Sequence, residues 1–175
     1  MKNIVIAILL LGYSLMSSAQ NLDKYEDMAE VNGVFITQHM FELLSKINME
    51  SEDAEEQRFV NLIENIDGLK VLTTVNQNIG VEMKTDVNAY IAADELEELM
   101  RVKKDGKSLK FYFKPGSSEE KVSQLFMFMT KNEKAETRYV LLSITGDIDL
   151  NDIGELTGKL KGVPGAEELK NVKPK

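Results

Sequence analysis

The sequence predicts an α+β fold: an antiparallel four-strand meander plus additional strands, packed against helices in a two-layer sandwich. Three observations predict it. Three segments between Thr37 and Ala92 carry apolar residues at helical spacing. From Leu99 to Thr145 the apolar period drops to that of a strand, about 2, and the run is punctuated by turn signals. At 43% hydrophobic residues in 175, the chain can fill a core and has room for one domain, conceivably two small ones.

Residues 1–19 read as a signal peptide, 20–32 as a polar lead-in, 33–161 as a single α+β domain and 162–175 as a flexible tail. Lys2 supplies a positive n-region, Ile4 to Leu11 an unbroken apolar run, and Ser17 and Ala19 the small residues of a cleavage site after Ala19. The run is too short to span a bilayer, which takes about 20 apolar residues, and no second long one follows. Export to the periplasm or beyond is the expectation. Cleavage removes one Lys and no acid, so the net charge moves from -8 to -9.

The lead-in has room for one helical turn packing Leu22, Tyr25 and Met28. Gly33 to Ile36 reads as a short strand, and Thr37 can cap a helix whose stripe is Met40, Leu43, Leu44 and Ile47. After a polar break at Asn48 to Ala54, a second helix carries Phe59, Leu62, Ile63 and Ile66 and ends at Asp67-Gly68. Leu69 to Thr74 is a strand. Asn76 to Ala92 is a third helix with Ile79, Met83, Val87, Tyr90 and Ile91 on one side, weakened by about 1 kcal/mol at Gly80. Asp94 to Glu98 reads as a short acidic helical turn.

The meander starts at Leu99. Met100 and Val102 alternate with Arg101 and Lys103, and Asp105-Gly106 is a hairpin turn into the alternation of Leu109, Phe111 and Phe113. Pro115 to Ser118 turns again. Val122 to Thr130 contains Leu125-Phe126-Met127-Phe128-Met129, apolar on both faces and suited to an inner strand. Unless the chain's own helices cover both faces, a partner or second copy must cover one. Tyr139 to Thr145 is the fourth strand, broken by Gly146, and Asp149 caps a last helix with Leu150, Ile153, Leu156 and Leu160. The helices are expected on one sheet face, with partial cover on the other.

Four segments in this order resemble a known family: Gly33-Val34-Phe35-Ile36-Thr37, Ile66 to Thr73, Glu98 to Gly106 and Leu142 to Leu150. The likeness runs from about Asp23 to Leu160 and is to domain of unknown function 4252, small exported proteins of Bacteroidota. The resemblance implies a cell-envelope location and an association with envelope signalling. It brings no catalytic residue. Many members carry a lipoprotein Cys after the signal; this chain has none.

The absence of Cys removes disulfides, thiolate zinc sites and cysteine nucleophiles. A charge of -8 is a poor match for nucleic acid. His39 is the single His; it lies at the flank of the first helix, near Thr37 and Ser45, and no G-x-S-x-G elbow supplies a nucleophile. Asp147, Asp149, Asn151 and Asp152 look like the opening of a calcium loop. The sixth and twelfth positions hold Asp152 and Gly158 where Gly and Glu are needed, so the metal reading of Asp147, Asp149 and Asp152 is rejected in favour of a capped turn. Asp94, Glu95, Glu97 and Glu98 read as a solvated face, and Met127 and Met129 as core filling. Gly162-Val163-Pro164-Gly165 is not a phosphate loop. No catalytic, metal or cofactor site is expected. The expected role is an exported, non-enzymatic protein that binds another macromolecule of the envelope. The alternative is a carrier or sensor of an apolar small ligand, and a hydrolase is the least favoured reading.

Overall fold

The computed structural model describes residues 22–48 and 53–152. The expected signal peptide, the tail and the last helix beyond Asp152, with Ile153, Leu156 and Leu160, lie outside the described residues. In order come a 3-10 turn Leu22–Tyr25, β1 Asn32–Thr37, α1 Gln38–Asn48, α2 Ala54–Glu64, β2 Ile66–Thr74 and α3 Gln77–Ala93. Then follow β3 Glu97–Lys104, β4 Lys107–Pro115, β5 Lys121–Asn132, β6 Thr137–Asp149 and a 3-10 turn Leu150–Asp152. The six strands form one sheet in the order β1-β2-β6-β5-β4-β3, with every neighbouring pair antiparallel. This is the α+β class expected. β3 to β6 are the meander, and β1 and β2 are the additional strands, joined to it through β6. Asp105 and Gly106, at φ 48 and 75, make the two-residue turn between paired Lys104 and Lys107.

Strand alternation gives the sheet two apolar faces, and helices pack on each. Leu69, Val71, Met127 and Leu142 share a core with Phe41 of α1 and Leu62 and Ile63 of α2. Leu72, Phe126, Tyr139 and Leu141 share the other with Met83 and Val87 of α3 and with Leu22 and Tyr25. The expected partial cover of the second face is thus provided by α3 and the N-terminal turn. Phe126, Met127, Phe128 and Met129 are all at most 8% exposed, so the double-sided strand gives no motive for a partner.

Local readings are corrected in four places. First, the stripe on α1 faces outward: Met40 and Leu43 are 50% and 45% exposed, while Phe41 and Ser45 are buried. The aromatic takes the inner position, and one turn on Ser45 lets the helix approach closely, its hydroxyl donating to the Glu42 carbonyl at 3.0 Å. Second, α2 stops at Glu64, and Ile66 is buried as the first residue of β2, so Asp67-Gly68 lies within a strand. Third, Asp94 to Glu98 is not helical. Asp94 N–H donates to the Tyr90 carbonyl at 2.9 Å and Leu96 N–H to that of Ile91 at 3.0 Å, with Glu95 at φ 54 between them. This is a Schellman-type ending with Glu where Gly is usual. Fourth, Gly146 does not break β6. It sits at a register shift where an added Cβ would lie 2.1 Å from the Asn65 carbonyl oxygen, and the strand runs on to Asp149.

At the start of α3 the Asn76 side chain accepts from the N–H groups of Asn78 and Ile79 at 3.0 and 3.3 Å. Gly80 has a packing reason: a Cβ there would stand 2.1 Å from the Tyr139 ring. Its bare backbone lets α3 lie directly on the sheet.

Candidate functional site

β1 forms one end of the sheet, pairing on one side with β2, and no other strand among the described residues pairs with it. An edge strand keeps a row of backbone N–H and C=O groups available to an incoming chain. The chain turns straight from β1 into α1, and the two together hold most of the exposed apolar side chains. Of the seven large hydrophobics left exposed among the described residues, Val34, Phe35, Met40, Leu43 and Leu44 fall within positions 34–44. Register places Val34 opposite Val71 on the face of α1 and α2, and Phe35 opposite Lys70 on the face of α3.

On the α3 side, Phe35 forms one wall of a groove of about 420 Å³ whose floor includes Gly68, Gln124, Ser143 and Thr145, with Tyr90 on the other wall. Three of its polar groups are bonded in a chain. The Tyr90 hydroxyl donates to Gln124 Oε1 at 3.1 Å, and Gln124 Nε2 donates to Ser143 Oγ at 2.8 Å. Burial pushes the Tyr90 phenol up. Lys70 at the rim is held by Asp23 and Glu26. The groove can seat an apolar side chain beside β1 and offers a fixed set of amide and hydroxyl edges. It holds no paired base and nucleophile.

A network that the sequence patterning left unassigned lies beside the N-terminal turn. The buried Tyr25 hydroxyl donates to Asp86 Oδ2 at 2.6 Å, and Lys24 Nζ lies 2.6 Å from the same oxygen and from Glu82 Oε1. Burial opposes ionisation of Asp86, but the hydrogen bonds from Lys24 and Tyr25 outweigh it and hold the carboxyl below its ordinary value. Burial, then the bond to Asp86, raises the Tyr25 phenol; the hydrogen bonds to Asp86 and Glu82 raise Lys24. The only hint in the sequence is a lone Asp on the apolar side of a helix.

The residues weighed for chemistry are dispersed. His39 stands on the outside of α1, 78% exposed, with Glu42 at 3.5 Å. Asp149 Oδ1 accepts from the Asn151 N–H at 2.8 Å, the cap bond expected, although the turn it caps is 3-10 over the described residues. Asp147 is engaged by Lys121 and by the Ser117 hydroxyl, and these hydrogen bonds lower its pKa. Asp152 ends the turn. Glu98 pairs with Arg101 through two nitrogens. Among the described residues no three metal-ligating side chains converge, and no helix is long and apolar enough to cross a membrane.

Fold and site together define a class: an α+β protein with a double-sided antiparallel sheet and an exposed apolar edge. The family follows from comparison: the chain matches domain of unknown function 4252 over residues 25–156, and it belongs to that family. The match opens on Tyr25, a core residue of the N-terminal turn. No curated protein and no solved structure matches the chain.

Proposed function

We propose that the chain is an exported protein of the cell envelope that acts by binding another protein along β1 and α1. One observation carries this reading: the exposed apolar side chains gather on an edge strand and the helix that follows it. Apolar surface of this kind, next to an open strand edge, is the usual footing for an added strand or a docked helix. The apolar run at Ile4 to Leu11 and the small residues at Ser17 and Ala19 support export.

Placing a photo-crosslinking phenylalanine analogue at Val34 or Leu43 in producing cells tests the reading, with Lys134 as the control position. The expected result is one discrete protein adduct that re-forms with the purified partner and disappears in Phe35→Asp. Adducts no stronger than at Lys134, or only with a second copy of the chain, reject it. Export is checked by intact mass, which should begin at Gln20.

A further inference from the structure

The far end of the molecule, away from β1, carries a second surface of opposite character. α3 presents Lys84, Val87, Asn88 and Ile91, one helical face, toward β3 and β4. Strand register lays two rows beneath them. Lys103, Ser108 and Thr130 stand side by side, and Arg101, Lys110 and Phe128 form the next row. Between helix and sheet lies a pocket of about 260 Å³. Its floor is apolar and buried, with Val87 at 1%, Tyr112 at 6% and Phe128 at 8% exposed, while Lys84, Lys103 and Lys110 stand around it.

Lys24, Lys70, Arg101, Lys114, Lys121, Lys131 and Arg138 each have a carboxylate within 4.0 Å. Among the described residues, none lies that close to Lys84, Lys103 or Lys110. Glu98, whose carboxyl feels the charge of Lys110, is taken by Arg101. In a chain of net charge -8, Lys84, Lys103 and Lys110 line one pocket with no carboxylate among its lining residues.

We infer that this pocket binds a compact organic anion: a carboxylate or phosphate held by Lys84, Lys103 and Lys110, with an aromatic or short acyl body against Phe128 and Tyr112. The charged rim and apolar floor require both parts of such a ligand. Charge alone leaves the floor wet, and an uncharged apolar body leaves the ammonium groups unpaired. The volume, just under the roughly 300 Å³ at which small-molecule sites begin, limits the body to about one ring. The hydroxyls of Ser108 and Thr130 on the adjoining row add hydrogen bonds to the anionic end.

The test is an amide NMR titration of the purified protein with phenyl phosphate, inorganic phosphate and phosphatidylglycerol vesicles in parallel. Saturable shifts with phenyl phosphate, confined to residues 84–91 and the strands at 103–112 and 128–130, are expected, with inorganic phosphate at least roughly tenfold weaker. Lys103→Gln combined with Lys110→Gln should weaken binding roughly tenfold, as two solvent-facing ion pairs would, and Lys134→Gln should leave it unchanged. Lys103 is exposed and Lys110 half-buried, and the amide spectrum of the double variant verifies that it keeps the fold. Equal response to inorganic phosphate, shifts scattered over lysines elsewhere, or response to vesicles alone overturns the inference.

Discussion

α1 and α3 each follow directly on an edge or near-edge strand, yet they settle on the sheet in opposite ways. α1 has the cleaner apolar stripe and turns it outward, burying Phe41 and Ser45 instead. α3 has a more mixed sequence, with Asp86 and Gly80 among its buried residues, and lies directly on the sheet. Periodicity measures how apolar a face is; it does not say which surface that face meets. α3 is committed by what fixes it at three points: the Asn76 cap, the Gly80 contact with Tyr139 and the Tyr25–Asp86 bond. α1 leaves Met40, Leu43 and Leu44 of its stripe exposed.

The largest expected effect sets the two helices against each other with one chemistry. Met83→Ala should cost about 2–5 kcal/mol, since Met83 is fully buried. Met40→Ala, at 50% exposure, should stay within about 0.5 kcal/mol. Urea unfolding of both variants checks the pair, and similar losses would erase the distinction.

Next comes the clasp that holds α3 to the N-terminal turn. Tyr25→Phe leaves the packing and removes a buried bond to a charged acceptor, at a cost of about 1.5–3 kcal/mol. The pH dependence has a defined sign. Asp86 titrates lower folded than unfolded, so its contribution is present above its unfolded pKa and is lost as pH falls through the folded one. Tyr25 and Lys24 titrate higher when folded, so theirs is present below their unfolded values and lost as pH rises through the folded ones. Thermal melts from acid to alkaline pH should show both losses, and Tyr25→Phe should flatten the curve at each end.

The smallest effect lies at the end of α3. Glu95 holds φ 54 in a position that favours Gly, so Glu95→Gly should stabilise by up to about 1 kcal/mol. A loss in urea unfolding would mean that the Glu95 side chain contributes more than its backbone costs.

Much of the architecture was legible because its causes are local. The alternation at Leu109 to Phe113 and the unbroken apolar run at Leu125 to Met129 read as strands, the Asp105-Gly106 pair reads as the turn of a hairpin, and all three hold. The errors sit where a distant residue decides. Gly146 reads as a strand breaker until Asn65 is found against it, and Gly80 as a weak point until Tyr139 is found beneath it. Asp94 to Glu98 reads as helix because the pattern carries no sign that Glu95 turns left-handed. The lysine pocket was illegible for the same reason: Lys84 is far in sequence from Lys103 and Lys110, and only the seating of α3 on the sheet makes them neighbours.

The sheet order also fixes a sequence of events. Each meander pair closes on a short turn, Lys104 meeting Lys107 and Asn132 meeting Thr137. Thr74 must wait for Tyr139, 65 positions later. Loop closure makes the first kind of contact fast and the second slow. The segment that carries β1 and β2 is synthesised first, and loop closure favours its docking last. Until it docks, β6 has one bare edge, with Leu141 and Leu142 apolar to either side. An unpaired β6 edge is open to another chain until β2 reaches it, and what closes it is the arrival of the chain's own first strands.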